Sequence, residues 1–377
     1  MKRFILIPDS FKGTMSSMQI CTIMEKAIRK HYEGAEIIAL PVADGGEGSV
    51  DSFLTAMGGK RVEVEVTGPY FEPMQGFYGI VDNDTAIIEM AACAGLPLVG
   101  DDKRPGETTT YGVGELMLHA VSNGCTKIVV GLGGSATNDG GCGAAAAAGV
   151  QFFNKDDITF IPTGNTLDAI KRIDASLLHP ALQSVEIVTM CDIDNPLYGT
   201  QGAAYIFGPQ KGADQKMVEF LDQQLRALSS RIISDLDKDV SLIPGSGAAG
   251  GMGAGMVAFF NSRLEMGIEV VLDTVQFDSL LEGTDMVFSG EGKLDSQSLR
   301  GKVVIGIARR TKKKQVPLVA IVGDIGDDIE AAYDQGVSAI FSINRVAKEF
   351  KEVISRAPGD LEMTMDNLMG FLQRLGY

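Results

Sequence analysis

Gly131-Leu132-Gly133-Gly134-Ser135-Ala136-Thr137-Asn138-Asp139-Gly140-Gly141 follows the apolar run Ile128-Val129-Val130 and precedes the alanine-rich stretch 144–148. The order reads as strand, glycine loop, helix. Glycines let backbone amides come close to a ligand, and the N-terminus of the following helix favours an anion. Ser135, Thr137 and Asn138 add neutral donors, and Asp139 adds a carboxylate able to hold Mg²⁺. Anion donors beside such a carboxylate point to phosphate chemistry. The same residues also fit a turn that only packs a helix on a sheet.

Outward from this loop the chain reads as α/β. Phe4–Ile7 is a short buried strand. Ser16 to Gln19 forms a capping box for a helix with Ile20, Ile23, Met24 and Ala27 on its apolar face. Ile37–Leu40 is a second strand, followed by a helix with Val50, Phe53 and Leu54 that stops at Gly58-Gly59. Residues 62–66 alternate with period two, as expected of a half-exposed, antiparallel strand, and Phe77–Val81 and Ala86–Met90 extend the meander. Buried strands return at Met286–Phe288, Val316–Val322 and Ala339–Ile343, and a helix near 360–375 closes the chain. The expected fold class is α/β, with a doubly wound parallel-sheet domain built from both chain ends (1–61 plus 281–377). A second α/β domain (62–280) is inserted in the middle, and the site is expected in the cleft between them. Gly245–Gly255 is read as a flexible connector or lid.

Composition narrows the function. The chain has 377 residues, 22% charged and 45% apolar, and a formal net charge of -16. That acidity argues against nucleic-acid or anionic-membrane partners. An anionic substrate must therefore be met locally by lysine, arginine or backbone amides. Five cysteines without a CxxC pair read as reduced thiols in a cytoplasmic protein. Three histidines without ligand spacing disfavour zinc. The apolar part of the N-terminus is too short for a signal peptide, and no stretch makes a convincing membrane span.

Four short clusters follow expected strands: Pro8-Asp9-Ser10-Phe11-Lys12-Gly13, Ala43-Asp44-Gly45-Gly46-Glu47-Gly48, the 133–141 loop, and Ser289-Gly290-Glu291-Gly292-Lys293-Leu294-Asp295-Ser296-Gln297-Ser298. Each joins small residues to carboxylates or lysine. Phosphoryl transfer needs this mixture, with cations and amides for phosphate charge and carboxylates for Mg²⁺ and the attacking hydroxyl. Asp44 and Asp295 serve equally as helix N-caps. Asp192, after the strand Val185–Met190, fits a general base, a metal ligand or a turn residue before Asn195-Pro196. Lys211, flanked by glycines, reads as an exposed ammonium. No GxxxxGK[ST] loop and no protein-kinase motif occurs. The dinucleotide spacing GxGxx(G/A) is met at Gly131, Gly133 and Ala136, which keeps a nicotinamide dehydrogenase open.

Taken together, PDSFKG (8–13), PVADGGEG (41–48), IEMAACAGL (88–96), TTTYGVGEL (108–116), GLGGSATNDGG (131–141), CDIDNPL (191–197), FGPQKGA (207–213) and SGEGKLDSQSLRGK (289–302) resemble the type I glycerate kinase family, in its order and from end to end. Two departures are Lys103-Arg104-Pro105, where the family tends to Arg-Asn-Pro, and Val113, where it favours Thr. The resemblance implies two α/β domains and Mg²⁺-dependent transfer of the ATP γ-phosphoryl to D-glycerate, usually giving 2-phosphoglycerate. Carried onto this chain, it puts ATP at Gly133, Gly134, Ser135, Thr137, Asn138, Gly290, Glu291, Gly292, Gln297 and Ser298. Glycerate falls to Asp9, Ser10, Lys12, Asp44, Glu47 and Lys211. Asp139, Asp192 and Asp295 are the metal candidates. Asp192 is the expected base, with Lys12 and Asp295 beside it in the chemistry. Transfer to the 3-hydroxyl, a dehydrogenase and a non-catalytic glycerate sensor are the alternatives, and a homo-oligomer is compatible with the sequence.

Overall fold

The computed structural model describes residues 1–377 apart from Asp44, Gln297, Ala347 and Lys348, and without the side chains of Arg300 and Phe350. The chain packs as two compact units. One comprises Met1–Asp44, Thr55–Met57 and Met266–Tyr377, and the other Gly45–Leu54 and Gly58–Glu265. The changeovers near 44 and 265 fall before those expected at 61 and 280. The packing explains both. The helix Ser49–Met57 carries Val50, over which Gly79 of the second unit lies. The helix Gly267–Thr274 is tied to the first unit by Arg310, whose guanidinium pairs with Glu269 and Asp273.

The first unit is built on a five-stranded parallel sheet in the spatial order Val337–Ser342, Leu318–Val322, Met286–Gly290, Arg3–Pro8, Glu36–Ala39. Phe4, Ile5, Leu6 and Ile7 are all fully buried, as an uninterrupted apolar run must be when helices cover both faces. On one face Phe4, Leu6, Phe288 and Ile321 meet Ile20, Met24 and Ile28 of Ser17–His31 and Leu361, Met365 and Met369 of Phe350–Arg374. The capping box forms, with the Ser16 hydroxyl accepting from the Gln19 amide at 3.2 Å and the Gln19 side chain accepting from the Ser16 amide at 2.9 Å. The last helix starts ten residues earlier than expected and runs through Pro358, because Ala357, Leu361, Met365 and Met369 keep one buried face across it. Next to Arg3–Pro8 the second strand lies on one side and all later strands on the other. This reversal between Arg3–Pro8 and Met286–Gly290 opens a crevice at the carboxyl ends of those two strands.

The second unit holds a six-stranded mixed sheet, in the order Arg263–Glu265, Glu186–Met190, Lys127–Gly131, Thr85–Glu89, Pro73–Val81, Lys60–Thr67. The first four run parallel, and the last two form the expected antiparallel meander. The stretch 245–255 is not a loose lid. It is buried throughout and leads into the helix Ala248–Phe260. Ala249, Gly250 and Gly251 there adopt left-handed φ values of 54°, 67° and 88°. A Cβ on Gly250 would overlap the Thr137 carbonyl, so the glycines serve close backbone approach rather than flexibility. No described helix is long and apolar enough to cross a membrane. All five cysteines are free and buried.

Candidate functional site

In the second unit, Lys127–Gly131 and Glu186–Met190 are parallel neighbours with Met190 level with Gly131. Their ends bring two of the sequence clusters together, 43–48 and 133–141. The Gly133 amide donates to the Gly45 carbonyl at 3.0 Å. A Cβ on Gly131 or Gly133 would overlap the backbone of Gly45 or Gly46. Two loops thus lie backbone on backbone, which only glycine permits. Gly133 and Gly134 reach the surface, and the exposed Glu47 has its carboxylate 3.8 Å from where a Cβ on Gly134 would stand. Asp192 is half-buried, two residues past Glu186–Met190.

Beyond Gly134 the loop turns inward. Asp139 is fully buried. It accepts the Thr110 amide and hydroxyl, both at 2.8 Å, and the amides of Gly141 and Gly143 at 3.0 and 3.2 Å. Burial raises its pKa, and these donors oppose the rise. Both oxygens are occupied, so Asp139 is a clamp closing the loop, not the open metal ligand the sequence suggested. Ser135, Thr137 and Asn138 are likewise interior rather than displayed donors. Thr137 Oγ1 and both polar side-chain atoms of Asn138 are buried without a hydrogen-bond partner.

Lys211 corrects the sequence reading most sharply. It is 2% exposed. Its Nζ donates to Ser135 Oγ at 2.8 Å and to the Thr137 carbonyl at 2.7 Å. Burial lowers its pKa to about 7, with Asp139 pulling the other way. The flanking glycines permit the tight 208–212 turn, where Gly212 has φ +94° beside Lys103. They do not signal an exposed ammonium. Arg104 is held by Asp102 and stacked on Tyr70.

In the first unit, the crevice loops carry the remaining candidates. The Asp9 amide donates to the Gly290 carbonyl at 2.8 Å, and the Asp9 carboxylate accepts from the Ser10 amide at 2.6 Å. Lys12 is exposed, and Gly292 lies against its backbone. Glu291 is 7% exposed, with Oε1 lacking a partner. Burial pushes its pKa up to about 7; Ser298 and Lys302 lower it, while Asp9 and Asp295 raise it. The half-buried Asp295 donates its amide to the Ser298 hydroxyl at 3.3 Å. Asp44 and Gln297 lie outside the described residues. Among the described residues, no three His, Cys, Asp or Glu side chains gather as a metal cage. The sequence reading passed over Glu89, a buried carboxylate within IEMAACAGL. Its signal was an acidic residue closing an otherwise apolar strand.

These two units, with glycine loops and charged side chains at the carboxyl ends of parallel strands, define an α/β protein built for a small anionic ligand. A family model described as the glycerate kinase family matches residues 4–373. The chain belongs to that family. It is 42% identical over 368 residues to a glycerate kinase of Bacillus cereus, covering 97% of each chain. It is 42% identical over 345 residues to a glycerate 2-kinase of Escherichia coli, covering 90% of each. A protein named glycerate kinase 2 from Salmonella typhimurium LT2, known from its crystal structure, superposes with a TM-score of 0.87 at 38% identity, covering 99% of this chain and 98% of that one.

Proposed function

We propose that this chain transfers the γ-phosphoryl of ATP to the 2-hydroxyl of D-glycerate, giving 2-phosphoglycerate and ADP. Membership of the glycerate kinase family and the names of its relatives support the reaction. The observation that carries it to particular atoms is the buried Lys211 ammonium, set directly behind the surface edge of the glycine loop. In a chain of net charge -16, such a cation supplies the local positive charge that phosphate oxygens require.

Gly133 and Gly134 offer open backbone to phosphate, while Ser135 and Thr137 act through Lys211. Glu47 faces the glycerate side. Asp192 takes the proton of the glycerate hydroxyl as its oxygen bonds to the γ-phosphorus. The bond from that phosphorus to the bridging oxygen breaks, and ADP leaves. In the first unit, Lys12 and Lys302 balance phosphate charge, with Ser10 and Ser298 as donors. Glu291 and Asp295 fit Mg²⁺, since they pair an orphaned, buried carboxylate oxygen with a second carboxylate. Mg²⁺ commonly binds through one or two carboxylates, substrate phosphates and water. It would neutralise phosphate charge there. Five buried free thiols support a cytoplasmic setting.

Phosphorus NMR of the protein with Mg-ATP and D-glycerate tests the reading. The expected signal is 2-phosphoglycerate appearing with ADP. A 3-phosphoglycerate signal would move the attack to the other hydroxyl, and no phosphoester from folded protein would overturn the kinase.

A further inference from the structure

The helix Ser49–Met57 starts without a cap of its own. Its N-cap residue is Gly48, which has no side chain to satisfy the first amides. Glu89 meets that need from another strand. It is 4% exposed and stands level with Gly131 at the end of Thr85–Glu89. Its Oε2 accepts the Val50 amide at 3.3 Å. Burial raises its pKa, and the amides of Val50, Ser49 and Gly48 favour its charged form. A carboxylate is the favoured charge at a helix N-terminus, where the aligned peptide dipoles leave positive charge. This helix N-terminus, which favours an anion, is therefore filled by the protein's own carboxylate.

The consequence falls on the residues before the helix. Gly45 and Gly48 both have left-handed φ, 82° and 85°. The Gly46 carbonyl accepts the Ser49 hydroxyl at 2.7 Å, and the Gly45 carbonyl accepts the Gly133 amide at 3.0 Å. Residues 45–48 are thus pinned at one end by the glycine loop and at the other by Glu89. Glu47 lies between the pins.

We propose that Glu89 is a positioning residue for phosphoryl transfer, anchoring the start of Ser49–Met57 so that Glu47 is held over Gly133 and Gly134. The proposal rests on the kinase reading, because Glu47 is taken there to face glycerate. Glu89 touches no substrate and acts through Glu47.

The test is a kinetic double-mutant cycle of Glu89→Ala and Glu47→Ala, with Glu89→Gln as the conservative variant and all proteins checked for folding by thermal melts. Glu89→Ala should raise the glycerate KM at least ~10-fold and leave the ATP KM within ~2-fold, an imbalance that general loss of stability would not produce. In the Glu47→Ala background, the same substitution should change the glycerate KM less than ~2-fold, the non-additivity of residues acting as one unit. Glu89→Gln keeps an acceptor oxygen and should recover to within ~3-fold of the parent. Additive effects would overturn the proposal while leaving the kinase in place. Absence of turnover in the parent protein would instead overturn the kinase reading. Amide hydrogen exchange at 48–50 then tests the anchor without turnover. Faster exchange confined to those amides in Glu89→Ala, with exchange near the parent's in Glu89→Gln, supports it, and unchanged exchange in Glu89→Ala refutes it.

Discussion

Replacing Lys211 with methionine tests the buried ammonium through the pH dependence of stability. In an unfolded chain a lysine titrates near 10.5, whereas burial brings Lys211 to about 7. Between those values the unfolded state binds more protons than the folded one, so stability rises with pH across this window and levels off on either side. The cost of charging the buried group is present in full below pH 7 and disappears as pH approaches 10.5. At ~1.4 kcal/mol per unit, the part between pH 7 and 9 amounts to about 3 kcal/mol. For a chain of this length unfolding as a whole, that is about 4 °C in Tm. Lys211→Met removes the titration. It also leaves the Thr137 carbonyl without its donor, a loss of about 1–3 kcal/mol at every pH. The difference in Tm between parent and variant should therefore grow by about 4 °C in favour of the parent from pH 7 to 9, as followed by circular dichroism. Titrating groups that do not interact with Lys211 cancel in that difference. A difference flat across the window would show that Lys211 titrates as an ordinary lysine and would refute the burial argument. Glycerate phosphorylation by the variant should fall at least ~100-fold at pH 7, since an oriented cation at a transferring phosphoryl is worth that much or more.

Asp192→Asn should lower kcat at least ~100-fold with the fold intact, and steady-state kinetics within ~3-fold of the parent would remove Asp192 as proton acceptor. Gly250→Ala should destabilise by about 2–4 kcal/mol in urea unfolding, because its Cβ meets the Thr137 carbonyl at a φ of 67°. Gly34→Ala, with nothing within 4 Å of its Cβ, should change stability by under ~1 kcal/mol and serves as the control. Chelation of Mg²⁺ with EDTA should abolish turnover in a coupled ADP assay yet leave Tm within ~1 °C, as expected where the described carboxylates form no cage.

The strands of the first unit were legible because Phe4–Ile7, Met286–Phe288 and Val316–Val322 are short, uninterrupted apolar runs, the pattern of a sheet covered on both faces. The period-two run at 62–66 marked the antiparallel edge of the second unit's sheet. What the sequence could not convey was which way a polar group faces. Asp139 and Lys211 carry the residue types of an open phosphate site, but the Thr110 hydroxyl and the loop amides turn Asp139 inward, and Ser135 and Thr137 draw Lys211 in with it. Partners from distant segments decide such orientations, and no local spacing encodes them. The glycines of 245–255 misled for a related reason. Glycine signals a backbone freedom, and only the neighbouring chain decides whether that freedom is spent on motion or on contact. Glu89 escaped notice because its partners, the amides of 48–50, lie some forty residues upstream and carry no side-chain signature.

The hydrogen bond from the Ser289 hydroxyl to the Ile7 carbonyl spans 282 residues. Ile7 belongs to an interior strand of its sheet, and that strand leaves the ribosome long before its neighbour Met286–Gly290 has been made. At roughly 5–20 residues per second, the wait is on the order of tens of seconds. Throughout it, Phe4–Ile7 presents an apolar edge with only Glu36–Ala39 available to pair with it. The segment 45–265, whose sheet is complete once its own last strand emerges, is free to fold in the interval. Synthesis thus imposes an order on assembly: the middle of the chain can mature first, while the opening strand stays unpaired along one edge until the later strands arrive.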